Sequence, residues 1–397
     1  MNKWSEGLPQ DVFDRILNLC SFLDSVRVGF VCKSWHRVSN LNMIRRPQLP
    51  WLMMPSNPNC KSEEEEEGEE EDLSVFSLSN NTFYYDIKIP QIRGKSCCGS
   101  FSNSGGWLMS IDRNLEVQLF HPWRRIHLNL PRFSISNASD ISPDCHSEVS
   151  KPTIIKAAMS DDAAVVAVIN SSRNFAFCRT GEDMIWTLIA VAHRGYRDII
   201  YYKGQFYTVR WDGAVGVLNI NTTKPYVETL TGGVKFIPRK PTPLQSEMRA
   251  IIHHRTYLVP DLASESLFIV RRLAQVDFDG GATYIYTTYD FQVYELELQQ
   301  QGEGKSVEVE SLGDRVMFLG LNSSMLVMAS QFSGLQGNCI YFTHDWGPQN
   351  LYEYKLPSAN ADMGIFNMED RTIPPLFPNR AHPSFSPPIW ITPPPLV

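Results

Sequence analysis

Long apolar runs are missing from this 397-residue chain: no stretch approaches the ~20 apolar residues that a membrane-spanning helix needs. The opening residues, Met1-Asn2-Lys3-Trp4-Ser5-Glu6, lack the apolar core of a secretory leader, so a nuclear or cytosolic protein is the expectation. Cysteine pairs are missing as well. Cys97 and Cys98 are adjacent, while Cys20, Cys32, Cys60, Cys145, Cys178 and Cys339 are scattered, and no C-x-x-C occurs. That excludes a zinc ribbon or a dithiol redox motif and leaves free thiols as the reading. An excess of basic charge is also lacking. The net charge is −7, but residues 63–72 hold eight Glu and one Asp, and with those nine set aside the remainder carries +2. A nearly neutral body argues against a nucleic-acid-binding face, and the acidity belongs to one solvated segment.

Catalytic signatures are equally scarce. Gly304-Lys305-Ser306 has the ending of a phosphate loop, yet the position where the first glycine belongs is Gln299. His253-His254 are adjacent, whereas two ligands on one strand face need a spacing of two. The carboxylate pairs Asp161-Asp162, Asp277/Asp279 and Glu369-Asp370 have no fixed geometry across a cleft, and turn chemistry accounts for Asp277-Phe278-Asp279-Gly280-Gly281. No nucleophile elbow is present. The chain is therefore read as a non-enzyme with no metal or cofactor.

What is present begins at the N-terminus. Leu8-Pro9 opens a helix, with proline where a missing N–H costs nothing, and Asp11 lies in the first turn, where the helix dipole favours a carboxylate. Val12, Phe13, Ile16, Leu17 and Cys20 recur at three and four, giving one apolar face. Asp24 or Ser25 is placed to cap a second helix, along which Val28, Val31, Cys32, Trp35 and Val38 repeat the spacing. Such short helices bury little surface alone and need a partner or the rest of the chain. The ordered set Leu8, Pro9, Asp11, Val12, Phe13, Ile16, Leu17, Val26, Arg27, Val31, Cys32, Lys33 and Trp35 resembles an F-box. Gly29 departs from that pattern; inside a helix it would cost roughly 1 kcal/mol against Ala and weaken the unit.

Residues 1–45 are thus expected to be helical and 46–72 a linker: an extended, proline-flanked connector, then the acidic segment. From Leu73 the texture changes to aromatic and β-branched runs of four to seven residues between Gly, Asn and Asp turns, an all-β signal with antiparallel meanders. Gly106-Trp107 with His121-Pro122, and Gly204-Gln205-Phe206 with Asn219-Ile220-Asn221, read as copies of one unit. Four-stranded units of ~40–50 residues would give a β-propeller of about six or seven blades over 73–397, with a pair of β-sandwiches as the alternative.

Several stretches resemble the β-propeller of a large plant F-box family, the KIB type. They are Cys97-Cys98-Gly99-Ser100 followed by Gly106-Trp107-Leu108, Leu119-Phe120-His121-Pro122, Leu312-Gly313-Asp314-Arg315 with Met317-Phe318-Leu319-Gly320, Asn338 to Thr343, and Pro388 to Pro393. The resemblance runs from about 73 to 394 and is loosest at 225–280, which reads largely as loop. It implies a substrate-recognition subunit of a Skp–cullin–F-box ubiquitin ligase. Leu8, Pro9, Val12, Ile16, Leu17, Val31, Cys32 and Trp35 would face a Skp-type adaptor, and the β-domain would hold a protein substrate. Two other readings stay open: an F-box scaffold or competitor that degrades nothing, motivated by Gly29, and a propeller enzyme or small-ligand sensor with a central polar pocket. Trp107, Trp123, Trp186, Trp211 and Trp346 adjoin turns; Trp211 and Trp346 are the candidates for substrate contact, since Trp, Tyr and Arg dominate interface energetics.

Overall fold

A computed structural model describes residues 9–45, 49–54, 73–133, 154–238, 251–278, 284–297, 305–345, 362–376 and 388–392, apart from 21, 30, 80, 88–91, 93, 94, 102, 104, 105, 113, 123–125, 171, 172 and 194. Three helices come first: α1 (Gln10–Leu19), α2 (Phe22–Gly29) and α3 (Lys33–Arg45). α1 starts as its sequence dictates, with the Pro9 carbonyl accepting from the Val12 and Phe13 amides and Asp11 in the first turn. Phe13 and Leu17, one turn apart, are buried, and the Phe13 ring packs 4.8 Å from that of Trp35 on α3.

The apolar spacing from Val28 to Val38 does not form one helix. The chain turns after Gly29 and restarts at Lys33, so that α3 packs back on the end of α2. His36 Nδ1 hydrogen-bonds the Gly29 carbonyl at 3.2 Å. Asp24 lies inside the first turn of α2, paired with Arg27, rather than capping it. Gly29 therefore ends a helix, and the mid-helix penalty does not apply. A Cβ there would meet Ser39 Oγ at 3.4 Å, an ordinary contact. The weak point read from the sequence is not one.

The strands form six four-stranded sheets among the described residues. In order outward from the axis, blade 1 is Ile389–Ile391, Trp51–Met54, Leu73–Ser77 and Thr82–Ile87; blade 2 is Ser96–Phe101, Trp107–Ile111, Val117–His121 and Ile126–Asn129; blade 3 is Ile154–Met159, Val165–Asn170, Phe175–Arg179 and Thr187–Ile189. Blade 4 is Tyr196–Tyr202, Gln205–Arg210, Val215–Asn219 and Tyr226–Thr229; blade 5 is Ile251–Asp261, Ser266–Phe278, Tyr284–Glu297 and Lys305–Glu308; blade 6 is Met325–Met328, Arg315–Leu319, Cys339–Phe342 and Gly364–Asn367. Each blade touches the next through its first strand. The ring shuts where Thr392 Oγ1 meets Met325 Sδ at 3.2 Å. Six buried apolar clusters fill the six gaps between adjacent blades, so every blade carries two packed faces. This is a six-bladed propeller rather than a pair of β-sandwiches.

Three sequence expectations change. Trp51–Met54 is a blade strand, not a connector: all four residues are buried, and Leu52 pairs with Trp390 on one side and Phe76 on the other. The apolar run is continuous because both faces are covered. Secondly, 225–280 contains two long strands, 11 residues in Ile251–Asp261 and 13 in Ser266–Phe278. The latter includes Asp277, read as turn. Finally, blade 6 is not a simple meander. Its second strand is made first, the chain folds inward to Met325–Met328, and Cys339–Phe342 then pairs parallel to Arg315–Leu319.

Candidate functional site

On the helices, the apolar positions divide into two sets. Phe13 and Leu17 point inward, while Val12 is 38% exposed, Ile16 42%, Leu19 90% and Val31 63%. Val12, Ile16 and Leu19 follow at i, i+4 and i+7 on one stripe of α1. Pro9 is exposed, and Cys32 and Trp35 are half-buried. Of the eight residues assigned to adaptor contact, Leu17 is the one the structure withdraws: it is fully enclosed by its own chain and holds the helices together. Leu19 was missed, although its spacing from Val12 and Ile16 was the signal that places it. Leu8 lies outside the described residues.

The propeller has two ends. In a meander whose inner strand comes first, the connections between second and third strands emerge at the end where the inner strands begin. Arg173, Trp211, the start of Tyr196–Tyr202 and the start of Ile251–Asp261 all belong to this entry end. Blade 5 rises above it. Its second and third strands run 13 and 14 residues against three to seven in the other blades. An excess of about 7 residues corresponds to a wall of roughly 20 Å.

Beneath the entry end lies a buried polar network. Lys156 donates to the Gly320 and Asn322 carbonyls at 2.8 and 2.7 Å and pairs with Asp198 at 3.2 Å. Asp198 also accepts the Ile199 and Leu258 amides. Fully buried Arg272 donates to Thr288 Oγ1, the Thr343 carbonyl, Asp345, and both the carbonyl and carboxylate of Asp362. Tyr257 donates to Asp345 at 2.7 Å. Burial would raise the Asp345 carboxyl, but the Arg255 and Arg272 cations hold it below its usual range. These contacts tie blades 3, 4, 5 and 6 together. The converging carboxylates of a sensor or hydrolase are present as residue types, but Asp198, Asp345 and Asp362 are each committed to internal cations. Among the described residues, no group of three or more His, Cys, Asp or Glu is placed to hold a metal ion.

Trp211 reaches solvent, 49% exposed. Its amide donates to the Gly195 carbonyl and its ring lies on Gly195, where a Cβ would come within 2.5 Å of it. Gly195 also has φ of +94°, so two constraints require glycine. Trp186 is instead a wedge between blades 2 and 3, its Nε1 donating to the Pro131 carbonyl at 2.8 Å. Trp107 is half-buried against the same cluster. Trp346, Trp123 and the acidic run 63–72 lie outside the described residues. His254 stands 6.3 Å from the Trp211 ring. Cys97, Cys98, Cys178 and Cys339 are free and buried, with the Cys97 thiol pushed up to about 12 by burial.

A three-helix unit with an outward apolar stripe, on the same chain as a closed six-bladed propeller, defines an F-box–propeller protein. Comparison bears this out: the F-box domain profile matches residues 6–46, and the KIB1-4 beta-propeller profile matches 75–367. The chain belongs to the KIB1-4 beta-propeller family. Putative F-box protein At3g25750 of Arabidopsis thaliana is 28% identical over 397 residues, spanning 94% of this chain and 93% of its own. Putative F-box protein At1g65770 of the same plant is 25% identical over 378 residues, spanning 91% and 93%. Among solved structures, the β-propeller domain of Cps50 (Swd1) from Myceliophteria thermophila covers 70% of this chain and 84% of its own at 8% identity. Its TM-score of 0.32 carries no argument.

Proposed function

We propose that this protein is the substrate-recognition subunit of a Skp–cullin–F-box ubiquitin ligase, working in the nucleus or cytosol. The observation that carries the reading is the exposed stripe Val12, Ile16 and Leu19 with Val31, on helices whose inner residues are already satisfied. Exposed apolar side chains grouped on one helical face mark a partner surface rather than a core. A Skp-type adaptor seated there would join the chain to a cullin-RING ligase, while the propeller holds a protein whose lysines are brought near the ubiquitin-loaded enzyme. The chain supplies no reacting group; its contribution is proximity, which makes a bimolecular transfer effectively intramolecular. The scaffold-or-competitor alternative loses its motive, because Gly29 terminates α2 and does not interrupt it.

The test is capture of a purified Skp-type adaptor by the full chain and by Val12→Asp/Ile16→Asp. Both positions are exposed, so the double variant keeps its helical circular dichroism. Binding by the native chain and a loss of at least 100-fold in the variant is the expected result. Failure of the native chain to bind removes the reading.

A further inference from the structure

An outermost strand turns half of its backbone amides and carbonyls to solvent, so each blade of a propeller ends in an edge that another chain could pair with. Among the described residues, five of the six edges are blunted. In blade 1 a register break between Leu73 and Val75 interrupts the ladder to Thr82–Ile87. Blade 3 ends in only three residues, Thr187–Ile189, and Ala190 then bridges to Tyr226 of blade 4. The blade 4 edge, Tyr226–Thr229, is met by that bridge and carries Glu228. Lys305 and Glu308 stand at the two ends of the blade 5 edge. In blade 6 the chain doubles back over Gly364–Asn367, the Ile365 and Asn367 amides donating to the Pro374 and Thr372 carbonyls at 3.1 and 3.0 Å.

Blade 2 is the exception. Its outer strand, Ile126-His127-Leu128-Asn129, holds no Lys, Arg, Asp, Glu or Pro, keeps an unbroken register with Val117–His121, and is exposed throughout. The pairing continues for one more residue, since the Leu130 amide donates to the Val117 carbonyl. Bonded pairs alternate in an antiparallel ladder, so Ile126, Leu128 and Leu130 bond inward, while His127 and Asn129 turn their N–H and C=O outward. Among the described residues, neither outward amide has an acceptor. Leu128 opposes Leu119, and Leu119 and Leu130 lie in the cluster between blades 2 and 3, which places Ile126 and Leu128 on the blade 3 side. Both are exposed, as are Met184 and Ile185 of blade 3. Those two directly precede Trp186, whose Nε1 donates to the Pro131 carbonyl at the end of the blade 2 edge. Exposed apolar side chains from two blades thus collect beside one unpaired backbone edge.

We propose that blade 2 binds an extended segment of the substrate protein as a fifth strand. The segment pairs with the outward backbone groups of His127 and Asn129, and its alternate apolar side chains rest on Ile126, Leu128, Met184 and Ile185. This deepens the substrate-receptor reading and rests on it. Main-chain pairing supplies affinity, and the apolar side chains fix the register. An uncharged occupant fits, because the strand itself has no Lys, Arg, Asp or Glu to answer a charge. Size argues against a second copy of this chain. A stable interface buries ~800 Å² per partner, and an edge this short, with its few exposed apolar side chains, is a fraction of that.

Fluorescence anisotropy on the full chain tests this, with a labelled pool of short peptides that alternate Val, Ile or Leu with Thr, Ser or Gln. A scrambled pool of the same composition and two pools N-methylated at one or the other alternate set of amides serve as controls. The alternating pool is expected to bind, methylation of one set to abolish binding and methylation of the other to leave it. His127→Pro removes an outward N–H that the ladder does not use and sets a ring in the path of an added strand. Ile126→Lys gives the edge a charge of the kind that guards blade 5. Each should weaken binding at least tenfold and leave the melting temperature unchanged. Four results overturn the proposal: no binding by the native chain, equal binding by both folded variants, equal binding of the scrambled pool or of both methylated pools, or a dimer in sedimentation velocity that His127→Pro dissolves, which would give the edge to a second copy. Adaptor capture is measured on the same preparations, so loss of the ligase reading is distinguishable from loss of this one.

Discussion

Arg272 offers the most direct test of how the blades are held together. Its side chain is fully buried and makes five hydrogen bonds, to Thr288, Thr343, Asp345 and, twice, Asp362, while its guanidinium lies 4.3 Å from the centre of the Phe342 ring. Arg272→Met preserves most of the apolar volume and removes the charge. Asp345 retains Tyr257 and Arg255, but Asp362 loses its cation while keeping the Thr288 amide and hydroxyl, and the Thr343 carbonyl loses the Arg272 donor. Removing one member of a buried ion pair costs about 3–5 kcal/mol, mostly as the uncompensated charge left behind. For a propeller of this size melting as one unit, that is a fall in Tm of roughly 5–7 °C. Differential scanning calorimetry of the full chain measures it. Adding Asp362→Asn should recover at least ~1 kcal/mol, because the orphaned charge is then gone while an acceptor for the Thr288 amide remains. A loss below ~1 kcal/mol for the single variant, or no recovery in the double, would refute the view that this network joins blades 5 and 6.

Other consequences are open to measurement. Gly195→Ala meets both a φ of +94° and the Trp211 ring, so it should cost about 1–3 kcal/mol and change acrylamide quenching of the exposed tryptophan, read against Trp211→Phe. Burial, with Arg271, Arg197 and His253 adding repulsion, lowers His254 to about 4 from 6.5. The unfolded chain then takes up a proton before the folded one does. The stability this group contributes is complete above pH 6.5 and declines as pH falls towards 4, by about 1–2 kcal/mol after allowance for partial exposure, and His254→Gln should flatten that limb of a chemical-denaturation pH series. Trp390→Ala should lower stability by about 3–5 kcal/mol, since the ring is fully enclosed between blades 6 and 1, and truncation after residue 387 should abolish the cooperative melt altogether.

The F-box was legible because its signal is local. Phe13, Leu17 and Trp35 lie within three turns or one reversal of each other, and their spacing reports directly on the face they share. Most blade strands were legible for the same reason. Trp51–Met54 was not, because its neighbours in sequence are prolines and its partner in space is Ile389–Ile391. Long-range pairing overrode the local punctuation. Nor could the sequence separate Arg271 from Arg272: both look like solvated charges in a strand, yet one lies over Phe236 beside the entry end and the other is sealed within the ring.

Blade 1 has a bearing on the order of events during synthesis. Its second, third and fourth strands are made early, but the strand at the axis, Ile389–Ile391, is among the last described residues. Until that strand emerges from the ribosome, Trp51–Met54 has an open edge and the flanks of blades 2 and 6 lack their cover. The helices need nothing from so far downstream. A nascent chain therefore presents a finished F-box well before its ring can shut, and closure, with its long loop to cross, is the slow step. A partner that engages the helices at that stage would act as a companion to an unfinished propeller, and its binding would come before the ring behind it exists.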